Sequence, residues 1–432
     1  MKILRTDAPE FQDFFQALRR RGGAFAPELV ADVARILADV SARGDEALFS
    51  YTLKFDGLAL TAATVEAGAG ERKEAAARLP AADREVLEIA ARRIDAYHRR
   101  QTSAGYTITD EDGVSIGQRV LPLARAGIYA PGGKAFYPST LLMAAIPARI
   151  AGVGEIVLAS PAKDGRLNPL IAAAADIAGV DRIFKIGGAQ AIAALAYGTK
   201  TVPRVDKIVG PGNAFVAAAK KLVFGQVAID MIAGPSEVVI IADRTARPAF
   251  AAADLLAQAE HDEMAAAVLF TPDAEWARRV AEEVAGQIAA LPKKSIIEKS
   301  LSRYGAVIVT ADLDEAVALA NLFAPEHLEL MVENPAALLD RIRNAGSVFL
   351  GSYTPEALGD YTAGANHILP TEGTARFSSP LGVYDFYKRM SVLSFSEAAF
   401  TRLAGPTRHF AQMEGLAAHA HSVAVRTARE KA

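Results

Sequence analysis

From about Leu121 onward, the sequence repeats one pattern, in which a short apolar run ends in Gly or Pro and an Ala-rich stretch of helical character follows. Such repeats are typical of βα units, whose strands form a parallel sheet. One series predicts strands at residues 126–130, 156–159, 182–186 and 207–209, and a second at residues 238–242, 266–270, 306–309, 328–332 and 347–350. The pattern therefore predicts an α/β fold with two doubly wound, incomplete Rossmann-like parallel-sheet modules in tandem.

Both ends of the chain have helical periodicity instead. The first hundred residues are predicted to be helical, with apolar side chains at helical spacing from Val30 to Val40 and again over residues 81–101. After Gly382 a helical pattern continues to the last residue. A piece of this length buries too little apolar surface to fold alone, so we expect it to pack on another surface, which favours a dimer.

Positive and negative side chains are mixed along the chain, and the formal net charge is −3. This distribution favours neither nucleic acid nor an anionic membrane as a partner. The short basic runs at Arg19–Arg21 and His98–Arg100 are interpreted as solvated helix faces. Because no uncharged apolar stretch reaches the about 18 residues of a membrane span and no signal segment is evident, a cytoplasmic location is expected.

The chain contains no cysteine, which excludes disulfides, thiolate metal sites and thiol nucleophiles. Any metal must therefore be bound by nitrogen and oxygen ligands. The histidines available for this purpose are His98, His261, His327, His367, His409, His419 and His421.

Two polar pairs stand out in the second series of βα units. Gln258 and His261 are three residues apart in a helical pattern, so they would share a helix face and could bind a metal such as zinc. Glu326 and His327 come together at the start of an apolar strand, where an imidazole suits a proton acceptor. A surface polar pair and a solvated turn are the respective alternatives.

Two later segments also carry candidate residues. Residues 359–367 form a loop rich in Gly and small polar residues, in which Asp360 could bind a metal and His367 could contact a substrate, although an Asx-type turn explains Asp360 equally well. Near the C-terminus, Glu414 precedes His419 and His421 in an apolar helical segment. Spacing alone does not choose between these two histidines, and both could line a packing surface.

Two Gly-rich turns from strand to helix could hold a pyrophosphate on exposed backbone N–H groups. They lie at residues 187–190 and 210–213, and neither matches the G-x-G-x-x-G dinucleotide fingerprint. Glycines that serve only close packing are the alternative.

From end to end, the sequence resembles the histidinol dehydrogenase family. The resemblance rests on Gly127–Gly133 (GIYAPGG), Ala233–Glu237 (AGPSE), Pro325–Glu329 (PEHLE) and Glu414–Leu416 (EGL) followed by His419. It implies a zinc-requiring enzyme that uses NAD to oxidise L-histidinol through L-histidinal to L-histidine, the last step of histidine biosynthesis. It also implies a homodimer in which Glu414 and His419 complete the partner subunit's site.

The resemblance assigns roles to individual residues. The zinc ligands would be Gln258, His261, Asp360 and His419. Substrate contacts would be Ser236, His327, His367 and Glu414 together with the metal ligands, and NAD contacts would be Tyr129, Gln190 and Asn213. The expected domains are a helical arm at residues 1–24, a first α/β domain at 25–128 plus 236–381 with the zinc and acid–base residues, an NAD-binding α/β domain at 129–235, and a C-terminal helical domain at 382–432.

The expected chemistry uses His327 as the base for the alcohol. Since no cysteine can form a thiohemiacetal with the aldehyde, water must be the nucleophile of the second oxidation, and we assign its activation to Glu326. One alternative is a related zinc- and NAD-dependent dehydrogenase of another small polar alcohol, such as sulfopropanediol. A non-catalytic α/β ligand-binding protein is the alternative of a different class.

Overall fold

The computed structural model describes residues 1–21, 25–132 and 136–427. Within them the chain forms two compact units, one made of Met1–Gln101 and Leu123–Phe386 and the other of Thr102–Pro122 and Tyr387 onward. In the larger unit, the strands are Lys2–Arg5 (β1), Arg125–Tyr129 (β4), Glu155–Ala159 (β5), Arg182–Phe184 (β6), Lys207–Val209 (β7), Ala228–Ile229 (β8), Glu237–Ala242 (β9), Ala266–Thr271 (β10), Gly305–Val309 (β11), His327–Met331 (β12) and Ser347–Leu350 (β13).

The α-helices of the larger unit connect these strands or precede them. They are Pro9–Arg19 (α1), Pro27–Arg43 (α2), Asp45–Asp56 (α3), Ala69–Ala77 (α4), Ala81–His98 (α5), Pro138–Ala151 (α6), Pro169–Ala178 (α7), Gly188–Tyr197 (α8), Ala214–Val223 (α9), Pro248–Ala259 (α10), Ala274–Gln287 (α11), Lys294–Tyr304 (α12), Leu313–Phe323 (α13), Pro335–Leu339 (α14) and Glu356–Tyr361 (α15).

One parallel sheet has six strands in the order β1-β11-β10-β9-β12-β13. Strands β9, β10 and β11 are mostly apolar and are buried over their whole length, as expected of a parallel sheet covered by helices on both faces. The edge strand β1 corrects the prediction of an all-helical N-terminal arm. Lys2–Arg5 is short and mostly exposed, and it becomes a strand by pairing with β11 about three hundred residues later.

The second parallel sheet has five strands in the order β6-β5-β4-β7-β8. Helices α2 to α5 pack against the helices of this sheet, and Val33, Ile36 and Val40 of α2 share its hydrophobic core. The domains expected from the sequence instead place residues 25–128 together with residues 236–381. The boundaries proposed for the domains stay a prediction, but the packing places the helices of residues 27–98 with the five-stranded sheet.

The smaller unit contains an antiparallel sheet as well as helices. Its strands are Tyr106–Thr109 (β2), Val114–Pro122 (β3) and Tyr387–Phe395 (β14), in the order β14-β3-β2, and its helices are Glu397–Met413 (α16) and Ala417–Thr427 (α17). The prediction that the chain is helical throughout after Gly382 is therefore wrong for residues 387–395, which form β14. This strand is exposed along almost its whole length, so it lacks the buried apolar face that identifies a strand in a sequence.

Both parallel sheets have a topological switch point, where consecutive connections run to opposite sides. In the five-stranded sheet it lies between β4 and β7, and in the six-stranded sheet between β9 and β12. Such points open crevices in α/β sheets and commonly bind ligands. None of the described helices combines the length and the apolar composition that a membrane-spanning helix needs.

Candidate active site

Glu326 and His327 lie at the amino edge of the six-stranded sheet, at its switch point. His327 is the first residue of β12 and is aligned with Val238, next to Glu237 at the start of β9. The imidazole Nδ1 lies 3.1 Å from the Glu237 carbonyl oxygen, so this nitrogen carries a proton. The buried Nε2 has no hydrogen-bond partner among the described residues and lies 3.6 Å from Asp360 Oδ1.

Three potential ligand groups meet beside His327. The ligand atoms of His261, Glu356 and Asp360 all lie within 4.8 Å of one another. In the amide orientation that satisfies both groups, Gln258 donates to the two carboxylate oxygens of Glu356 at 2.9 and 3.0 Å, which leaves the amide oxygen available as a ligand. The structure thus brings together three of the four predicted zinc ligands.

Gln258 and His261 reach this position differently from the prediction of a shared helix face. Helix α10 ends at Ala259, so Gln258 is in its last turn and His261 lies beyond it. The His261 N–H donates to the Gln258 carbonyl at 3.3 Å, within the turn that follows the helix. The closeness in space is therefore set by a turn and not by helical periodicity.

Opposing charges perturb the titration of this cluster. Burial works against a charged His327, but the carboxylates of Glu356, Glu326 and Asp360 raise the pKa of this imidazole well above its ordinary value. Burial would raise the pKa of Asp360, but His327, His367 and His261 hold it below its ordinary value. Burial raises the pKa of Glu356 to about 8. The carboxylates of Glu356 and Asp360 beside the His261 imidazole fit a divalent cation with nitrogen and oxygen ligands, such as zinc.

His367 and Ser236 border the same cluster. His367 Nδ1 lies 3.0 Å from the Asp360 carbonyl oxygen, and its Nε2 lies 3.0 Å from the Thr140 hydroxyl. A neutral imidazole protonated at Nδ1 satisfies both contacts, and burial lowers the pKa of His367 in agreement with this form. Burial raises the pKa of Glu326, while His327 and the side chain of Ser236 oppose this shift.

Sequence reasoning missed several residues of the site. Glu356 and Asp360 are four residues apart on α15, a spacing that puts two carboxylates on one helix face and could have identified Glu356. Thr140 carries no signal in the sequence. Arg21 was interpreted as part of a solvated basic run and is instead buried, as is His98 in the second such run.

The predicted NAD contacts lie at the carboxyl edge of the five-stranded sheet. Tyr129 ends β4, and its hydroxyl accepts the Gly188 N–H at 3.1 Å, while burial raises its pKa to about 12. Gln190 follows in the first turn of α8, with its amide nitrogen 3.4 Å from Asp56 Oδ2. Asn213 caps α9 by accepting two N–H groups of its first turn.

The turn after β7 approaches the end of β4 closely. Gly210 has φ +114, and a Cβ at this position would lie 2.2 Å from the Tyr129 carbonyl oxygen, so only glycine fits. Tyr129 at the end of β4 and Asn213 after β7 thus flank the switch point, where α/β sheets commonly bind ligands. Gly133 of the first motif lies outside the described residues.

Glu414, His419 and His421 belong to the smaller unit. Glu414 caps the C-terminus of α16, both histidines are in α17, and all three side chains are exposed. Exposure leaves them free to act on another surface. Their contribution to a metal or substrate site stays a prediction.

Comparison with known proteins gives one consistent family. The Histidinol dehydrogenase family model matches residues 19–427. The chain is 54% identical over 426 residues to histidinol dehydrogenase of Syntrophotalea carbinolica, with 99% of both chains covered. It is 52% identical over 427 residues to that of Geobacter sulfurreducens, covering 99% of this chain and 100% of the relative. The crystal structure of histidinol dehydrogenase from Elizabethkingia anophelis matches with a TM-score of 0.92 and 38% identity, covering 99% of this chain and 98% of that one.

Proposed function

The chain belongs to the histidinol dehydrogenase family, and we propose on this basis that it oxidises L-histidinol through L-histidinal to L-histidine with NAD, the last step of histidine biosynthesis. The observation that carries the proposal is the pairing of Glu326 with a buried His327 whose Nε2 is free, beside the cluster of His261, Glu356 and Asp360. This arrangement brings together an imidazole base, the carboxyl group of Glu326 and potential cation ligands.

His327 acts as the base of the alcohol step. Its Nδ1 is occupied by the Glu237 carbonyl, so Nε2 is the atom that accepts the hydroxyl proton as hydride leaves the carbinol carbon. The burial of the ring keeps water from competing for this nitrogen. Asp360, 3.6 Å from Nε2, stabilises the imidazolium that forms.

We propose that Gln258, His261 and Asp360 hold a zinc ion, with His419 of a second copy as a further ligand. Glu356 would orient the Gln258 amide through its two hydrogen bonds. When bound, zinc supplies a Lewis acid that orients the amino alcohol and a positive charge that offsets the carboxylates around His327. Ser236, His367 and Glu414 are proposed as further substrate contacts.

The aldehyde step requires a nucleophile, and the chain has no cysteine to provide one. We assign this role to water activated by Glu326. One of its carboxylate oxygens, Oε2, accepts the Glu237 N–H at 3.0 Å, which leaves Oε1 to take a proton from water. Attack of that water on histidinal, with a proton delivered to the aldehyde oxygen, gives the hydrate. One hydroxyl proton of the hydrate then passes to a base as a second hydride leaves to a second NAD, and the carboxylic acid that results loses its own proton to form the carboxylate. The raised pKa of Glu326 makes it a stronger base than an exposed carboxylate.

For NAD, which supplies the hydride acceptor, we propose the crevice at the β4–β7 switch point. Tyr129, Gln190 and Asn213 would contact the dinucleotide there, and the backbone N–H groups of the glycine turns suit its phosphates. Asp56, beside Gln190, has a carboxylate of the kind that hydrogen-bonds ribose hydroxyls.

We also propose a homodimer in which Glu414 and His419 act in the partner's site. The smaller unit supports this proposal because it exposes large apolar side chains, among them Leu393, Phe410 and Met413. Such a surface is typical of a subunit interface.

The test is NADH formation, followed by absorbance, from L-histidinol and NAD. We expect two NADH for each histidinol, loss of activity after chelation, and recovery with zinc. His327→Ala should lose the alcohol step most, whereas Glu326→Gln should slow oxidation of added histidinal. Glu333→Gln, an exposed change just beyond the other end of β12, is the matched control.

Two results would contradict these assignments. If the protein formed no NADH from histidinol but oxidised sulfopropanediol, the proposed substrate would be wrong and sulfopropanediol would take its place. If Glu326→Gln oxidised histidinal as fast as the Glu333→Gln control, the role of Glu326 would be wrong.

A further inference from the structure

One residue, Glu237, is hydrogen-bonded to both members of the Glu326–His327 pair. Its backbone N–H donates to Glu326 Oε2 at 3.0 Å, and its carboxylate Oε2 accepts the Glu326 N–H at 3.3 Å. Its backbone carbonyl receives the His327 Nδ1–H at 3.1 Å. The start of β9 thus fixes the Glu326 carboxylate, the Glu326 backbone and the His327 ring together.

Arg21 holds the Glu237 side chain from the opposite side. Its Nη2 donates to Glu237 Oε1 at 2.9 Å and to the Pro235 carbonyl at 3.1 Å. The side chains of Arg21 and Glu237 are only 1% and 3% exposed, so water does not screen this ion pair. The Glu372 N–H is a further donor to Oε1, at 3.3 Å.

The partners of Glu237 favour its carboxylate form. Arg21, Glu326 and Glu372 all present N–H donors, and a protonated carboxyl group would have to turn its own proton toward one of them. Burial raises the pKa of Glu237 to about 8, and the guanidinium of Arg21 opposes this shift. Arg21 therefore offsets part of the cost of burying this carboxyl group and, with its hydrogen bond, fixes the position of the group.

We propose that Arg21 and Glu237 are positioning residues, which hold Glu326 and His327 in the geometry needed for the two oxidations. The inference rests on the proposed function of that pair. Arg21 follows α1, whose Phe11 and Phe15 are packed in the core of the six-stranded sheet, so the N-terminal segment is tied to the site by one side chain. Arg21 acts through Glu237 and does not touch the reacting atoms.

The expected defect is in the rate and not in binding. In Glu237→Gln, an amide NH₂ replaces one acceptor and meets the N–H of Glu326 or of Arg21, so the Glu326–His327 segment must shift. A displacement of about 1 Å at reacting groups lowers rates by about 100-fold, and we expect kcat losses of about 10- to 100-fold in Glu237→Gln and Arg21→Met. The KM for NAD and the Kd of histidinol measured by calorimetry should change by less than about threefold, well below the loss in kcat.

The double variant Arg21→Met/Glu237→Gln tests whether the two residues act as one unit. If Arg21 works only through Glu237, the double variant loses no more kcat than the worse single variant. Arg21→Lys keeps the positive charge and should have a higher kcat than Arg21→Met. It also provides a testable variant if Arg21→Met does not fold. Zinc content, measured on each variant by atomic absorption, should stay equal to that of the unmodified protein.

Phe15→Leu is the matched control, since it loosens the packing of α1 without touching Arg21 or Glu237. At an equal loss of melting temperature it should leave kcat unchanged. An equal kcat loss in Phe15→Leu, or single effects that multiply in the double variant, would overturn the inference. Absence of any NADH from histidinol in the unmodified protein would instead overturn the proposed function, so the two failures are distinguishable.

Discussion

Lys220 and Asp230 form a buried ion pair beneath the glycine turn of the proposed dinucleotide site, and we predict that Lys220→Met destabilises this region strongly. The two side chains are 2% and 1% exposed. Lys220 Nζ also donates to the Gly210 carbonyl at 2.8 Å, and Asp230 accepts the N–H groups of Gly210 and Met231, each at 2.7 Å. The pair thus holds both polar groups of the Gly210 backbone.

The magnitude follows from what each substitution leaves behind. Lys220→Met leaves Asp230 charged, buried and without its cation, and breaking a buried pair in this way costs about 3–5 kcal/mol. Methionine fills the space of the aliphatic stem, so we expect the lower end, about 3 kcal/mol. Replacing both partners, as Lys220→Met/Asp230→Asn, leaves no uncompensated charge, and we expect a loss of about 1 kcal/mol.

The assay is hydrogen exchange of the β7 amides, because it reports the stability of this sheet without assuming that a chain with two compact units unfolds in one step. A loss of about 3 kcal/mol lowers the protection of these amides by about 100-fold. Lys299→Met is the control, since Lys299 is 52% exposed and makes a surface pair at 2.7 Å with Glu263 that should contribute less than about 1 kcal/mol. Unchanged protection of the β7 amides in Lys220→Met would refute the reasoning. So would a stability loss in the double variant equal to the sum of the losses in Lys220→Met and Asp230→Asn.

Two further predictions concern the six-stranded sheet and its loops. Thr140→Val removes the hydroxyl that His367 Nε2 contacts and leaves this nitrogen without a hydrogen-bond partner, so steady-state kinetics should show a KM for histidinol about 10-fold higher. Thr140→Ser keeps the hydroxyl and should leave the KM unchanged. Equal KM values in the two variants would exclude a role for this contact. Burial raises the pKa of Asp254 to about 6, against the effect of its hydrogen bond with Glu329. The pKa of Asp254 is therefore higher in the folded state than the 3.8 of the unfolded chain. The protonated group contributes fully to stability below pH 3.8, and this contribution is lost as the pH rises through about 6. The melting temperature of the unmodified protein should therefore fall relative to Asp254→Asn between these two pH values, and a constant difference would contradict the assigned pKa.

The strands of the two parallel sheets were predictable because each is a short apolar run between helix-forming segments. β9, β10 and β11 are buried at every position, so their sequences contain almost no polar residue to confuse the pattern. β1 and β14 were missed for the opposite reason. They are exposed strands, and their structure depends on pairing with β11 and β3, which are remote in the sequence.

The site could be predicted only where neighbouring residues in the sequence carry the chemistry. Glu326 and His327 are adjacent, and they remain so in the site. Arg21 and Glu237 are more than two hundred residues apart, and a basic run at a helix end gives no sign that one of its arginines is buried against a carboxylate. Only tertiary packing decides which charge of such a run is solvated.

The two sheets place their candidate sites at opposite strand ends, and this difference has a consequence for hydride transfer. Tyr129 and Gly210 lie at the carboxyl edge of the five-stranded sheet, whereas Glu237 and His327 lie at the amino edge of the six-stranded sheet. Helix α6 is the next helix after β4 in the chain, and its Thr140 hydroxyl lies 3.0 Å from His367 Nε2. If the cofactor binds at the first edge and the substrate at the second, as proposed, this contact links the helix that follows β4 to the substrate site.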